Sequence, residues 1–200
     1  MGRPRTNDDA VGERLVSCAT EMFATHRPEG VTVRALAAAA ETSTGAVYTL
    51  FGGKDGLVAE VRGRAVAGLF QDLSTVAVSG DPLADLRALA AAYRGWAVAH
   101  RHLYAVLFGG AQRFDPSGEV GSGDPVRPLL AAIDRAVASA VLAGEPTLIA
   151  LSLWVTLHGL VSLELAGALD SATLDRAFGS TIDATLRGWA PAPAGGPPLP

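Results

Sequence analysis

TVRALAAAAETSTGAVYTLFGGKDGL, residues 32–57 of a 200-residue chain, is the stretch on which the fold turns. It holds two short apolar-periodic runs, 33–40 and 44–50. Each follows a hydroxyl residue able to cap a helix start: Thr32 for the first, Thr42 or Ser43 for the second. Two short helices joined by a tight turn give the geometry in which one helix braces the other across a DNA major groove. Ala35, Ala37 and Ala38 permit close helix crossing, Leu36 and Val47 supply core contacts, and Gly45 leaves room for a phosphate or base edge near the backbone. Gly52-Gly53 then ends the second helix.

The chemistry of this stretch suits nucleic acid. At Thr32 and Ser43 a helix start presents free N–H groups and partial positive charge, so a phosphate oxygen can settle there, and Lys54 repeats the arrangement at the next helix. Thr44, Tyr48 and Thr49 project from the second short helix, where a hydroxyl can bond a base edge and a methyl or ring can touch a thymine methyl. Phe51 reads as a core aromatic. Near the chain start, Gly2-Arg3-Pro4-Arg5 reads either as a basic arm for a minor groove or as an ordinary N-terminal tail.

The first helix is expected from near Asp8 to about Thr25, with Val11, Leu15, Cys18, Ala19 and Met22 on its apolar stripe. A long amphipathic helix follows Gly53, from Lys54 to Val78, burying Leu57, Val58, Val61, Ala65, Leu69 and Leu73. Asp81-Pro82, Asp124-Pro125 and Glu145-Pro146 mark three more helix starts. A short helix is expected over 101–108, a glycine-rich loop over 109–123, and a last helix over 172–189. No alternating strand pattern appears. The expected fold is all-α: a flexible basic arm (1–7), a three-helix helix-turn-helix DNA-binding domain (8–53), a helical-bundle ligand-binding and dimerisation domain (54–189) entered through the long helix, and a disordered Pro/Gly tail (190–200).

Net charge is −4, from 16 Lys+Arg against 20 Asp+Glu, so the chain does not coat nucleic acid along its whole surface. The first 64 residues carry eight basic and eight acidic groups, leaving eight basic against twelve acidic beyond them, so DNA contact falls to the first third. The single cysteine, Cys18, excludes an intrachain disulfide and a cysteine-rich zinc site. No signal-peptide pattern opens the chain, and a cytoplasmic location is expected. The apolar run 148–169 approaches membrane-spanning length, but Ser152, Thr156, His158, Ser162 and Glu164 interrupt it, and no membrane partner is expected.

Residues from about Asp9 to Val61 resemble the DNA-binding domain of the tetracycline-repressor (TetR) family. The resemblance rests on Met22-Phe23 closing the first helix, the Thr32-Val33 entry, Ser43-Thr44-Gly45 opening the recognition helix, and Tyr48, Phe51, Lys54 and Leu57. It implies phosphate contacts from Thr32, Tyr48 and Lys54, and base-edge contacts from Thr44, Gly45 and Thr49. With Thr42, Ser43 and the arm residues Arg3 and Arg5, these make up the expected DNA-facing set. Three positions depart from the family pattern: Glu41 stands at a turn usually glycine, Leu50 at a position usually polar or aromatic, and Thr44 where a basic residue is common. Trp154, His158 and Gly159 in LWVTLHGLVSLELAG resemble the C-terminal signature of the family's Trp/His/Gly (WHG) subgroup.

So few basic groups in one head would bind weakly, so a homodimer spanning two half-sites of a palindromic operator is expected. Run 148–169 is apolar nearly all round, and Ser152, Thr156, Gly159 and Ala166 offer a small-residue face. Leu174, Phe178, Ile182 and Leu186 form a matching stripe, with Phe178 and Ile182 expected in the subunit interface. Tyr93, Trp96 and His100 on one helical face, Tyr104 on the next helix, and Trp154 with His158 are candidates to line a cavity for a small apolar or amphipathic effector, or else plain core. His100 and His102 face different ways, so no metal pair is expected, and no cofactor is called for. Ser43 and Ser152 lack a nucleophile elbow, Cys18 belongs to an apolar stripe, and Arg87 and Arg94 read as solvated charges, so no enzyme is expected. The reading is a ligand-responsive DNA-binding transcriptional regulator, most simply a repressor. Its rival is a helical small-molecule carrier that does not bind DNA.

Overall fold

The computed structural model describes residues 5–26, 28–108, 124–168 and 170–192, and every regular element among them is helical. In chain order these are α1 (Arg5–Thr25), a 3-10 turn (Pro28–Gly30), α2 (Val33–Ala39), α3 (Thr44–Phe51), α4 (Lys54–Ser74), α5 (Pro82–Ala99), α6 (Arg101–Phe108), α7 (Val126–Ala138), α8 (Pro146–Leu165) and α9 (Ser171–Gly188). Arg3, the side chain of Arg5, the loop 109–123 and the tail from 193 onward lie outside the described residues.

The helices gather into two units. One, the head, holds α1 to α3, α4 as far as Gly68, and α6; the other, the body, holds the rest of α4 with α5, α7, α8 and α9. In the head, Val11, Leu15, Ala19 and Phe23 of α1 meet Leu36 and Ala37 of α2, Val47 of α3, and Leu57 and Val61 of α4. α6 packs along α1, and its Val106 joins this core. The sequence reading sets α6 in the body. Its apolar residues Leu103 and Val106 mark a buried face by periodicity, which does not say whose helix that face meets.

Most boundaries follow local chemistry. Asp81 Oδ1 accepts from the amides of Leu83 (2.9 Å) and Ala84 (3.1 Å) at the start of α5, Asp124 Oδ1 from Val126 N (2.9 Å) at α7, and Asp170 Oδ1 from Thr173 N (2.9 Å) at α9. Glu145 makes no side-chain cap, and α8 starts on Pro146, whose missing N–H costs nothing there. α1 begins at Arg5, a turn ahead of Asp8, because residues 5–7 include no helix breaker. α4 stops at Ser74, short of the expected Val78, where the Thr75 hydroxyl donates to the Asp72 carbonyl at 2.7 Å and competes with the helical ladder.

In the body, α8 packs against α5, α7 and α9. It buries Ile149, Ala150, Leu153, Leu157 and Val161. By length and composition alone α8 would suffice to cross a membrane; in this fold it is a bundle helix. The bundle is also clamped by ions. Arg94 forks onto Glu164 (2.7 and 2.8 Å), donates to Asp175 (2.7 Å) and lies 5.0 Å over the Phe178 ring, so α5, α8 and α9 meet at one guanidinium. Arg87 pairs with Asp183 at 2.7 Å. Arg87 stays a solvated charge, while Arg94 does not; the acids of both lie 70 to 96 residues away, beyond the reach of any local pattern.

Candidate functional site

The α2–α3 pair is built by two caps. Thr32 has extended backbone and its hydroxyl oxygen accepts from Ala35 N at 3.1 Å; Ser43 does the same for Ala46 N at 3.2 Å. Each such cap stabilises its helix by about 1 kcal/mol, and the hydroxyl hydrogens stay available to an outside acceptor. Between the helices, Thr42 N donates to Ala37 O (2.9 Å) and Glu41 N to Ala38 O (3.2 Å), with Glu41 in the left-handed region at φ 49°. From α1, Cys18 Sγ donates to the carbonyl of Ala39 and Arg14 Nε to that of Ala40, both at 3.4 Å, so the end of α2 is held from behind.

Of the residues expected to face DNA, Thr32, Ser43, Thr44, Gly45, Tyr48 and Thr49 are exposed, and Thr42 is half-buried in the turn. Tyr48 is 60 % exposed although aromatic, with its ring beside Gly53. Leu50 and Phe51 turn the other way and pack on the head core. Lys54, expected to meet a phosphate, also donates from Nζ to the Pro28 carbonyl at 2.9 Å, which leaves two ammonium donors. Arg34, in the first turn of α2, is a cation that the sequence reading passed over; it is exposed and has no acidic partner among the described residues. Its position two residues after a capping threonine was the available signal.

A second feature of the head ties α4 to α1. Arg64 donates through both terminal nitrogens to Glu13 (2.6 and 2.7 Å) and through Nε to Glu60 (2.8 Å). The guanidinium holds the Glu13 carboxyl below the usual carboxylate range, and the two carboxylates push Arg64 further into its charged form.

The six expected effector residues are divided between the units. Tyr93 and Trp96 are buried on α5 in the body, where Trp154 and His158 on α8 stack at 5.2 Å with rings 13° from parallel, both half-buried. Burial pushes the His158 imidazole below its ordinary value. Tyr104 belongs to the head unit, buried with its ring 4.7 Å from Phe108, and His100 is exposed in the turn between α5 and α6. Helix α5 ends at Ala99, so His100 is the first residue past the helix that carries Tyr93 and Trp96. Among the described residues no group of three or more His, Cys, Asp or Glu is arranged to hold a metal ion.

The expected interface residues also separate. Gly159 and Ala166 are exposed and Ser152 half-buried, while the Thr156 hydroxyl donates to Ser152 O (2.8 Å) and lies 3.3 Å from that of Thr185 on α9. Phe178 and Ile182 are buried within the single chain, on the stripe by which α9 packs on the bundle. Four of the exposed large apolar side chains among the described residues share α8, Leu148, Leu151, Val155 and Leu163, with Val155 55 % exposed; Val78 and Val98 are exposed elsewhere. These four flank the small-residue face read from the sequence, which names Ser152, Gly159 and Ala166 but not its apolar neighbours, because α8 is apolar nearly all round.

Two family models match the chain. Residues 15–61 match that of the bacterial regulatory proteins of the tetR family, and residues 86–185 match the tetracyclin repressor-like C-terminal domain. No curated protein matches. Among solved structures, a protein with unknown function from Rhodococcus sp. RHA1 is 26 % identical, with 90 % of this chain and 96 % of that one covered at a TM-score of 0.67. The TetR-family regulator PfmR from Thermus thermophilus is 19 % identical, with 96 % and 100 % covered at 0.70, and SmeT, solved with triclosan, is 21 % identical, with 96 % and 99 % covered at 0.66.

Proposed function

The chain belongs to the tetR family of bacterial regulatory proteins and is a DNA-binding, ligand-responsive transcriptional regulator, and we propose that it works in the cytoplasm as a homodimeric repressor of a palindromic operator. The observation that carries this reading is the capped α2–α3 pair with Thr32, Thr44, Gly45, Tyr48 and Thr49 exposed together. α3 enters the major groove, Thr32, Thr42, Ser43 and the remaining donors of Lys54 meet phosphates, and the arm residues Arg3 and Arg5 add contacts beside it.

Two copies join through the open face of α8, where Leu148, Leu151, Val155 and Leu163 flank Ser152, Gly159 and Ala166. This apolar stripe supports an isologous contact about a two-fold axis. A small apolar or amphipathic effector lies among Tyr93, Trp96, Trp154 and His158. α4 contributes to both units, so an effector that prefers one body state re-spaces the heads away from half-sites roughly 34–36 Å apart.

Fluorescence anisotropy with duplexes from the region upstream of the chain's own gene tests the reading. A salt-dependent, sequence-specific shift is expected, and Val155→Glu is expected to yield monomers by sedimentation with operator affinity lost. Binding that is absent, or indifferent to sequence, would leave a carrier as the better description.

A further inference from the structure

Resting on that reading, we infer that α3 reads its half-site through thymine methyl groups and not through the hydrogen-bonding edges of guanine or adenine. The helix is TGAVYTLF and carries no charged, amide or imidazole side chain. Guanine is ordinarily picked out by a bidentate arginine or lysine, adenine by a bidentate asparagine or glutamine, and cytosine by a carboxylate. α3 has none of these.

What it does present is specific in another way. Thr44, Gly45, Tyr48 and Thr49 fall at i, i+1, i+4 and i+5, on one side of two turns, and all four are exposed. Val47, between them, is fully buried and fixes which side that is. The Ser43 hydroxyl accepts from Ala46 N, so it serves the cap. A side chain at Gly45 would meet only Ser43 Oγ, at 3.6 Å, so the backbone of α3 is uncovered at Gly45, beside Thr44, and can come close to a base pair. The face therefore consists of two threonine methyls, two threonine hydroxyls and a tyrosine ring. A hydroxyl bonds any base edge and discriminates little, whereas thymine carries the one methyl group on the major-groove floor. Selectivity thus lies with methyl-to-methyl and methyl-to-ring contact. Arg34 on α2 is the exposed guanidinium of the pair, outside α3, and is the natural guanine reader if the inference is wrong.

The full-length chain would be used to select duplexes from a random pool. Each thymine of the selected half-site would then be replaced by uracil, which removes the 5-methyl group and nothing else. One or more thymines per half-site are expected to weaken binding about fourfold each on replacement, the value of one buried methyl-sized group. Thr44→Ser or Thr49→Ser should produce the same loss on the thymine duplex and little further loss on the uracil duplex, while the corresponding valine variant keeps the methyl and keeps the discrimination. Uracil substitution without effect at every half-site position overturns the inference, as does a half-site whose affinity depends on guanine N7 and on Arg34. If no duplex is enriched at all, the functional reading itself fails, and the two failures are told apart by whether selection succeeds.

Discussion

The ammonium of Lys54 sits 2.9 Å from the main-chain carbonyl of Pro28, so the first residue of α4 is fastened to the turn that follows α1. The α2–α3 pair lies between those two points in sequence, and this bond closes the loop that contains it. A residue expected to serve DNA is thus also a brace.

Lys54→Met keeps the aliphatic stem and removes the donors. The loss of a part-buried, charge-assisted bond is expected to cost about 1.5 kcal/mol in urea denaturation. The slope of log affinity against log salt should also fall by about one per subunit, since one phosphate contact is lost. Lost stability with an unchanged slope would make Lys54 a brace alone.

Gly56 and Gly63 lie on the same helix with opposite constraints. A methyl at Gly56 would overlap the carbonyl oxygen of Phe51, a backbone atom that cannot step aside, whereas nothing lies within 4 Å of that position at Gly63. Gly56→Ala is expected to lose at least about 2 kcal/mol by forcing α3 away from α4. Gly63→Ala should gain roughly 0.5–1 kcal/mol from helix propensity, measured by the same denaturation midpoint.

Glu41 holds a left-handed conformation in the turn ahead of α3 and adds a negative charge close to where a phosphate would lie. Glu41→Gly should therefore raise both stability, by about 0.5–1 kcal/mol, and operator affinity. Glu41→Gln retains the strain and removes the charge, so it should raise affinity with the melting temperature unchanged.

Arg94 joins α5, α8 and α9, and its fork on Glu164 is about four-fifths shielded from solvent, with 22 % exposure on each side. Arg94→Lys cannot reproduce the fork together with the Asp175 bond, and a loss of about 1–3 kcal/mol is expected, between the values of exposed and buried pairs. A double-mutant cycle with Glu164→Gln should return a coupling energy of similar size. Additive losses would show that the pair contributes little.

His158 is expected to give the body a pH dependence. Burial depresses its folded-state value, so the unfolded chain takes up a proton near its ordinary value of about 6.5 while the folded chain resists it. Stability should accordingly fall as pH drops below about 6.5 and should be flat with respect to this group above it. His158→Phe preserves a ring against Trp154, 5.2 Å away, and should remove the slope between pH 7.5 and 5.5 in urea titrations.

Most of the helices, several of their caps and the α2–α3 pair are legible in the residues alone, because each depends on groups within a few positions of one another. Asp81 and Asp124 bond amides two or three residues ahead, and Thr32 and Ser43 do likewise, so periodicity and capping chemistry suffice. The choice of which helix each apolar face meets is made only when distant segments pack. That choice sent α6 to α1, folded Phe178 and Ile182 into the chain's own core, left Val155 exposed, and turned Arg94 from a surface charge into a clamp. Hydrophobic burial is non-directional, so an apolar stripe states that it will be covered without naming its cover. A charge likewise finds its partner only once packing has brought distant segments within about 3 Å.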